Sequence, residues 1–273
     1  KLLLAGYKPI NNIVDITNYI LHEYGQPMHA FDYEKLNGGE IVVRRAKDGE
    51  KFLALDDIEY ELTDKNLVIA DAEKSVAVAG VMGGKDSGTW DGTTKIVFEA
   101  ATFDSVSVRK TARQLNLYSQ SQTMFEKGLS SEAPAAALAR AVELTLEIAG
   151  GSVASAVQDM RAKEYEPLHF SFNPEKARAL IGVDISDDQM INILKRLGFV
   201  LKKEGEVYDV IVPYWRDHDI EAEVDFTEEI ARMYGYHNIP AILPDQAPPT
   251  IAGDEDLAWE IWIKRSLAAM GYA

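Results

Sequence analysis

Two α+β domains are predicted by this sequence, the first built on a mixed or antiparallel sheet and the second small and winged-helix-like. Three observations carry the prediction. Residues 40–101 hold short β-branched runs separated by turn signals, and residues 105–149 hold two helical segments. Beyond residue 167, helices, a hairpin and another helix follow one another. The chain's 273 residues suffice for two such domains at a prior of roughly 150 residues each.

The segment from Pro9 to Ala30 mixes a helix over Asn12–Glu23 with a break at Gly25-Gln26-Pro27. Ile41–Val43, Phe52–Leu55, Leu67–Ala70, Val76–Ala79 and Ile96–Phe98 read as strands, with turns at Asp48-Gly49 and Asp91-Gly92. A helix over Ser105–Leu115 places Arg109 and Arg113 one turn apart on one face. The next helix runs from Ser131, as N-cap, to Ala149, with Pro134 in its first turn and Gly150-Gly151 as its stop. A charged stretch between Ala162 and Pro167 marks a domain boundary.

His169–Phe172 then reads as a strand, and Asn173-Pro174 as N-cap and first helical residue. Ser186-Asp187-Asp188 caps a helix ending at Gly198. Phe199–Leu201 and Tyr208–Val212 form a hairpin around Glu204-Gly205-Glu206, and a further helix runs from near Asp219 to Gly235. Pro240, Pro244, Pro248 and Pro249 stiffen a linker that leads to an amphipathic element over Leu257–Met270.

Composition narrows the function classes. The net charge of −16 argues against wrapping nucleic acid over the whole surface, but leaves room for one RNA end in a local pocket. The absence of cysteine excludes disulfides and thiolate metal sites and suits a cytosolic protein. No apolar run is long enough to span a membrane, and no leader resembles a signal peptide. Lys1 is not an initiator methionine, and the chain stops at Met270–Ala273 as a helical segment closes, so a piece of a longer polypeptide is expected.

Four features are candidates for chemistry. Glu99 lies in Lys95–Ala101, a run apolar on both faces, where a carboxylate needs a hydrogen-bond partner or a polar ligand. A strand-end glutamate facing water or paired with a cation is the plainer reading. Gly80-Val81-Met82-Gly83-Gly84 follows a strand and would let a ligand approach the backbone. It lacks the marks of a P-loop or dinucleotide fold, and a tight turn also explains it. His29 stands without a second ligand at zinc spacing, and no Gly-x-Ser-x-Gly elbow is present. Asp225, Glu228 and Glu229 share one helical face, as hard oxygen ligands for Mg²⁺ or Ca²⁺ or as a solvated acidic face with Asp219 as the cap.

Taken together, the motifs are more specific than any one of them. Pro9–Tyr19, with Asn11-Asn12 and Thr17-Asn18, and Gly25–Asp32, with His29, resemble the start of the editing module of bacterial phenylalanyl-tRNA synthetase β subunits. Ala79–Gly84, Phe98–Ala101 and Phe125-Glu126-Lys127-Gly128 continue the pattern in order. Val212–Ile220 and Glu228–Tyr236 look like the family's next domain. The resemblance implies an editing (B3/B4-like) domain over 1–163, truncated at its N-terminus, and a B5-like winged-helix-like domain over 164–241. A linker and the opening of another domain would follow over 242–273.

In that family the module hydrolyses tyrosine mischarged onto phenylalanine tRNA, because the synthetic site alone rejects tyrosine only in part. By the resemblance, Glu99 recognises the tyrosine hydroxyl, His29 and Asn18 orient water or the terminal ribose near the ester, and Gly83 and Gly84 offer backbone groups. Ser119 and Ser121 would also shape the pocket. Here the chain departs from the family, with Ser119-Gln120-Ser121-Gln122 where many relatives carry Thr-Asp-Ala-Ser. Asp219, Asp225, Glu228 and Glu229 match magnesium positions near the contact with the α subunit. The implied setting is a cytoplasmic α2β2 synthetase acting on phenylalanine tRNA, with no membrane or DNA partner. This chain alone would not aminoacylate. The rival readings are a non-catalytic scaffold for the α subunit and tRNA, and a free-standing deacylase.

Overall fold

Asn11 opens the first long element: its side chain accepts the Val14 amide and starts helix α1 (Asn12–Tyr24), which Gly25 ends in the left-handed region at φ 70°. Residues 1–242 and 253–272 are described in this computed structural model. They fall into two units, Lys1–Tyr234 and Gly235–Ala273.

Directly after the Gly25-Gln26-Pro27 break comes strand β1 (Met28–Asp32), a strand that sequence patterning did not single out. The β2 (Val42–Arg45), β3 (Glu50–Leu53), β4 (Glu59–Leu62), β5 (Leu67–Ala70), β6 (Ser75–Val78), β7 (Met82–Gly83) and β8 (Ile96–Ala100) strands follow. They build three antiparallel sheets: a four-stranded one ordered β2-β5-β6-β7, the hairpin β3-β4, and the pair β1-β8. Four of the five runs read as strands overlap observed ones with shifts of one or two residues, and Leu67–Ala70 coincides. Strand β4 escaped notice because Glu59–Leu62 alternates charge with apolar side chains and has only Leu62 buried.

Helix α2 (Ser105–Leu115) begins at Asp104, whose side chain accepts the Ser107 amide, and ends at Asn116 with φ 50°. Helix α3 (Gln120–Phe125) was not expected. The predicted cap of helix α4 (Ala133–Ile148) is corrected: Glu132, not Ser131, takes that place and makes no side-chain capping bond. Ala137 and Ala141 are fully buried against Ile16 and Ile20, so methyl-sized side chains let α4 lie close to α1. The resulting α1–α4 layer also takes in Phe98 of β8, which sets one wall behind the β1-β8 pair.

Residues 150–168 form no helix or strand. Strand β9 (His169–Phe172) precedes α5 (Pro174–Ile181), whose cap Asn173 accepts both the Glu175 and Lys176 amides. Helix α6 (Asp187–Arg196) starts at Ser186 as expected. Strands β10 (Val200–Glu204) and β11 (Val207–Ile211) pair antiparallel, and β9 joins the far side of β11. Helix α7 (Glu223–Tyr234) starts four residues later than predicted, so Asp219 does not cap it. Phe226 of α7 is the centre of this core: Phe170, Phe172 and Phe199 meet it edge to face at 6.1, 6.0 and 5.4 Å. Side chains also cross from the first module to this one, for Ser130 Oγ donates to Asp217 Oδ2 at 2.6 Å.

In the second unit, Asp254 caps α8 (Glu255–Ala269). The expected amphipathic stripe is absent: Leu257, Trp259, Ile261, Trp262 and Ile263 are all exposed and spread around the helix. The proline linker falls largely on residues 243–252, which lie outside the described residues. No helix among the described residues is long and apolar enough to cross a membrane.

Candidate functional site

His29 and Glu99 face each other as directly registered partners across the β1-β8 pair, so two residues 70 positions apart share one face of the sheet. A small cavity opens there, of about 70 Å³, and its wall includes His29, Glu99, Gly83, Ser121, Phe103 and Phe125. Both titratable side chains keep a little solvent contact yet are walled in by protein atoms. Burial drives their ionisation in opposite senses: it lowers the His29 imidazole to about 4 and raises the Glu99 carboxyl to about 7. His29 Nε2 is buried without a hydrogen-bond partner among the described residues. A buried polar atom in that state is costly unless a ligand or water meets it.

Glycine at position 83 is what lets the histidine sit there. A Cβ on Gly83 would lie 2.5 Å from His29 Cε1. Gly80, at φ 68°, turns the chain between β6 and β7, and a Cβ on it would lie 2.9 Å from both Phe103 and Val108. The glycine-rich run is therefore both a tight turn and a cavity wall. Gly84 has a different task from the one expected: its amide donates to the Val76 carbonyl at 2.8 Å and so serves the sheet, outside the cavity lining.

The serine segment divides in the same way. Ser121 lines the cavity. Ser119 caps α3 by accepting the Gln122 amide at 3.0 Å and donates its own proton to the Val81 carbonyl at 2.6 Å. Its hydroxyl ties α3 to the β6–β7 turn and lies outside the lining. We expect Ser119→Ala to lower the unfolding free energy by about 1–2 kcal/mol, read from urea unfolding, with Ser119→Thr close to the parent. Asn18 sits on α1 and is not among the lining residues.

Gln26 is a residue that sequence reading passed over. It is fully buried, and its Nε2 donates to the Ala101 carbonyl at 2.9 Å and the Pro27 carbonyl at 3.0 Å. These bonds join the start of β1 to the end of β8, where His29 and Glu99 face each other. The sequence shows only its place between Gly25 and Pro27; its burial, and with it the need to satisfy its amide, is set by the fold.

The acidic positions do not gather. Glu229 lies between Arg216, whose Nη2 donates at 2.8 Å, and Arg232. Burial pushes its carboxyl up, but the two guanidinium groups outweigh that and hold it below its ordinary value. Asp219 accepts from Arg216 Nε at 2.8 Å. Asp225, in the first turn of α7, reaches back to accept the Glu221 and Ala222 amides, each at 2.8 Å, and so holds the segment that enters the helix. Glu228 points to solvent. No three His, Asp or Glu side chains among the described residues come together as metal ligands. With both oxygens of Glu229 already bonded to arginines, the four positions do not fit Mg²⁺, which wants several open oxygen ligands. A chelator is accordingly expected to leave the thermal unfolding midpoint of the chain unchanged, and a rise on adding millimolar magnesium would count against this assignment.

Comparison with known proteins places the chain in a family. The B3/4 domain model matches residues 1–150, and the tRNA synthetase B5 domain model matches residues 170–236. The phenylalanine–tRNA ligase beta subunit of Moorella thermoacetica is 44% identical over 272 residues, covering all of this chain and 34% of that protein. The one from Halalkalibacterium halodurans is 43% identical, over 89% of this chain and 30% of that protein. This chain therefore spans about a third of the length of these curated relatives. A solved N-terminal fragment of the phenylalanyl-tRNA synthetase beta subunit from Pyrococcus horikoshii shares 18% identity, with a TM-score of 0.41, over 82% of this chain and 65% of that one. Homologous along its length to a segment of phenylalanine–tRNA ligase beta subunits, and matched over more than half its residues by one domain model, the chain belongs to the B3/4 domain family.

Proposed function

We propose that the cavity between β1, β8 and the β6–β7 turn hydrolyses the ester of tyrosine mischarged onto phenylalanine tRNA. The reading rests on one observation above all, the registered pair of His29 and Glu99 with an unpartnered imidazole nitrogen beside a carboxyl in a walled cavity. The names of the relatives supply the substrate class.

Glu99, as a carboxylate, accepts a hydrogen bond from the hydroxyl of the tyrosine ring. Phenylalanine brings no hydroxyl and would leave the carboxyl buried without a partner, which disfavours it. His29 stays neutral at physiological pH because burial keeps its imidazole near 4. Neutral Nε2 can then hold a water or a ribose hydroxyl without carrying a charge into the cavity. Water oxygen adds to the ester carbonyl, the ribose–acyl C–O bond breaks as the ribose oxygen takes one proton of that water, and tyrosine leaves as its carboxylate with the second proton released to solvent. An activated ester needs positioning more than a strong nucleophile. The chain would work as part of a cytoplasmic α2β2 phenylalanine–tRNA ligase, where it supports ligation that it does not itself carry out.

A scaffold role without hydrolysis is the second reading. It is favoured by the size of the cavity, about 70 Å³, against roughly 300–1,000 Å³ for ordinary ligand pockets. For hydrolysis, the walls must part to admit tyrosine. Incubating the chain with tyrosyl- and phenylalanyl-charged phenylalanine tRNA and following ester loss separates the readings. Selective loss of the tyrosyl ester supports hydrolysis. Loss no faster than the spontaneous rate, in the chain and in the full α2β2 enzyme, leaves the scaffold.

A further inference from the structure

Most of the arginines in this acidic chain are occupied. Arg44, Arg140, Arg161, Arg178, Arg216 and Arg232 all sit in ion pairs. Helix α2 differs: Arg109, Lys110 and Arg113 are exposed and have no carboxylate partner among the described residues. Positions 109, 110 and 113 fall on one face, one turn deep. The opposite face of α2 holds Val108, Thr111 and Ala112, all buried. Val108 packs beneath Gly80, which lines the cavity.

The same segment carries an aromatic. Immediately past the end of α2, Leu117 is buried and holds the loop down while Tyr118 stands 61% exposed. Ser119 then caps α3, and Ser121 reaches the cavity. A run of unpaired cations, an exposed tyrosine and a cavity wall thus follow one another within 13 residues of chain, from 109 to 121.

We infer that the outer face of α2 and Tyr118 form a binding surface for the single-stranded 3′ end of an RNA. Arg109, Lys110 and Arg113 take successive phosphates and Tyr118 stacks on an unpaired base. Arginine and lysine left without carboxylate partners are charge-complementary to a phosphate backbone. An exposed aromatic at the end of such a stripe is how unpaired bases are held, because every base offers a face to stack on. An acidic peptide would use the cations and have no need of the tyrosine, so the combination favours RNA. The inference deepens the proposed hydrolytic reading by giving its substrate an approach, and rests on it for the direction in which the RNA end points.

The test uses the whole chain and an unacylated RNA hairpin, either blunt or with four unpaired 3′ nucleotides, followed by fluorescence anisotropy across a salt series. No ester is present, so failure of hydrolysis and failure of RNA binding are read apart. Arg109→Gln with Arg113→Gln is expected to weaken binding to both hairpins and to reduce the slope of log affinity against log salt by about 1.5. Tyr118→Ala is expected to remove the preference for the tailed hairpin over the blunt one and to leave the salt slope unchanged. Lys195→Gln with Arg196→Gln, an exposed basic pair in the last turn of α6, outside the 109–121 segment, is the control and should alter neither. The inference is overturned if the parent chain shows no salt-dependent RNA binding, or if the α2 variants bind as the parent does. It is equally overturned if polyglutamate displaces the RNA-binding signal by occupying the same face with equal affinity.

Discussion

Glu99→Gln is expected to reduce the preference for tyrosyl over phenylalanyl ester by at least about 100-fold. A site built to receive a hydroxyl discriminates by several powers of ten, whereas an apolar pocket manages only about 100 between such isosteres. The glutamine keeps the size of the side chain and can still meet a hydroxyl, but it lacks the negative charge that strengthens the hydrogen bond a carboxylate accepts. The measurement is single-turnover ester loss from the two charged tRNAs. Equal selectivity in parent and variant would remove Glu99 from the recognition of tyrosine.

The same variant has a pH signature in stability. Glu99 has a folded-state value raised to about 7, so the folded chain holds its proton more tightly than the unfolded chain does. Its favourable contribution is complete below the ordinary glutamate value and is lost as pH rises through 7. His29 is depressed to about 4, so its contribution is complete above the ordinary histidine value and is lost as pH falls towards 4. Between roughly pH 4.5 and 6.5 the two slopes oppose each other, each at most about 1.4 kcal/mol per pH unit. The parent should therefore be nearly flat in this window as far as these two groups decide it. Glu99→Gln leaves the His29 slope, and stability should rise with pH. His29→Asn leaves the Glu99 slope, and stability should fall with pH. Urea midpoints at pH 4.5, 5.5 and 6.5 read both directions.

Gly83→Ala is the second large effect. Its methyl would stand 2.5 Å from His29 Cε1, inside any tolerable contact, so the imidazole must move or β7 must shift. Displacement of a reacting or positioning group by about 1 Å can cost roughly 100-fold in rate, and a loss of that order in tyrosyl release is expected. Because the cavity also narrows, the loss should fall mainly on turnover of the tyrosyl ester, with unacylated RNA bound as by the parent. A Gly83→Ala chain that hydrolyses at the parent rate would show that the His29 ring is not held by this contact during the reaction. Gly84→Ala provides a contrast, since its methyl would meet the Val76 carbonyl at 2.7 Å and should act on stability rather than on chemistry.

Local periodicity already determined much of the fold. Strands at 67–70 and 169–172 and the helix over 105–115 coincide with observed elements, because their residue patterns match a regular period and caps close to them in sequence end them. Glu99 was conspicuous as a charge in an apolar run, and His29 and the glycine run stood out by motif. What sequence alone did not reach was partnership. Strand β1 hides beside a proline break because its pairing partner, β8, lies some 70 residues later, and only antiparallel registration sets His29 opposite Glu99. The same holds for the serines and acids. Ser119 and Gly84 carry the motif but serve the backbone, and Glu229 meets two arginines that no spacing rule connects to it. Spacing along the chain decides which side chains share a helix face or a strand face. Which buried atom satisfies which is decided by contacts between distant segments, and those form only when the sheets and helices pack.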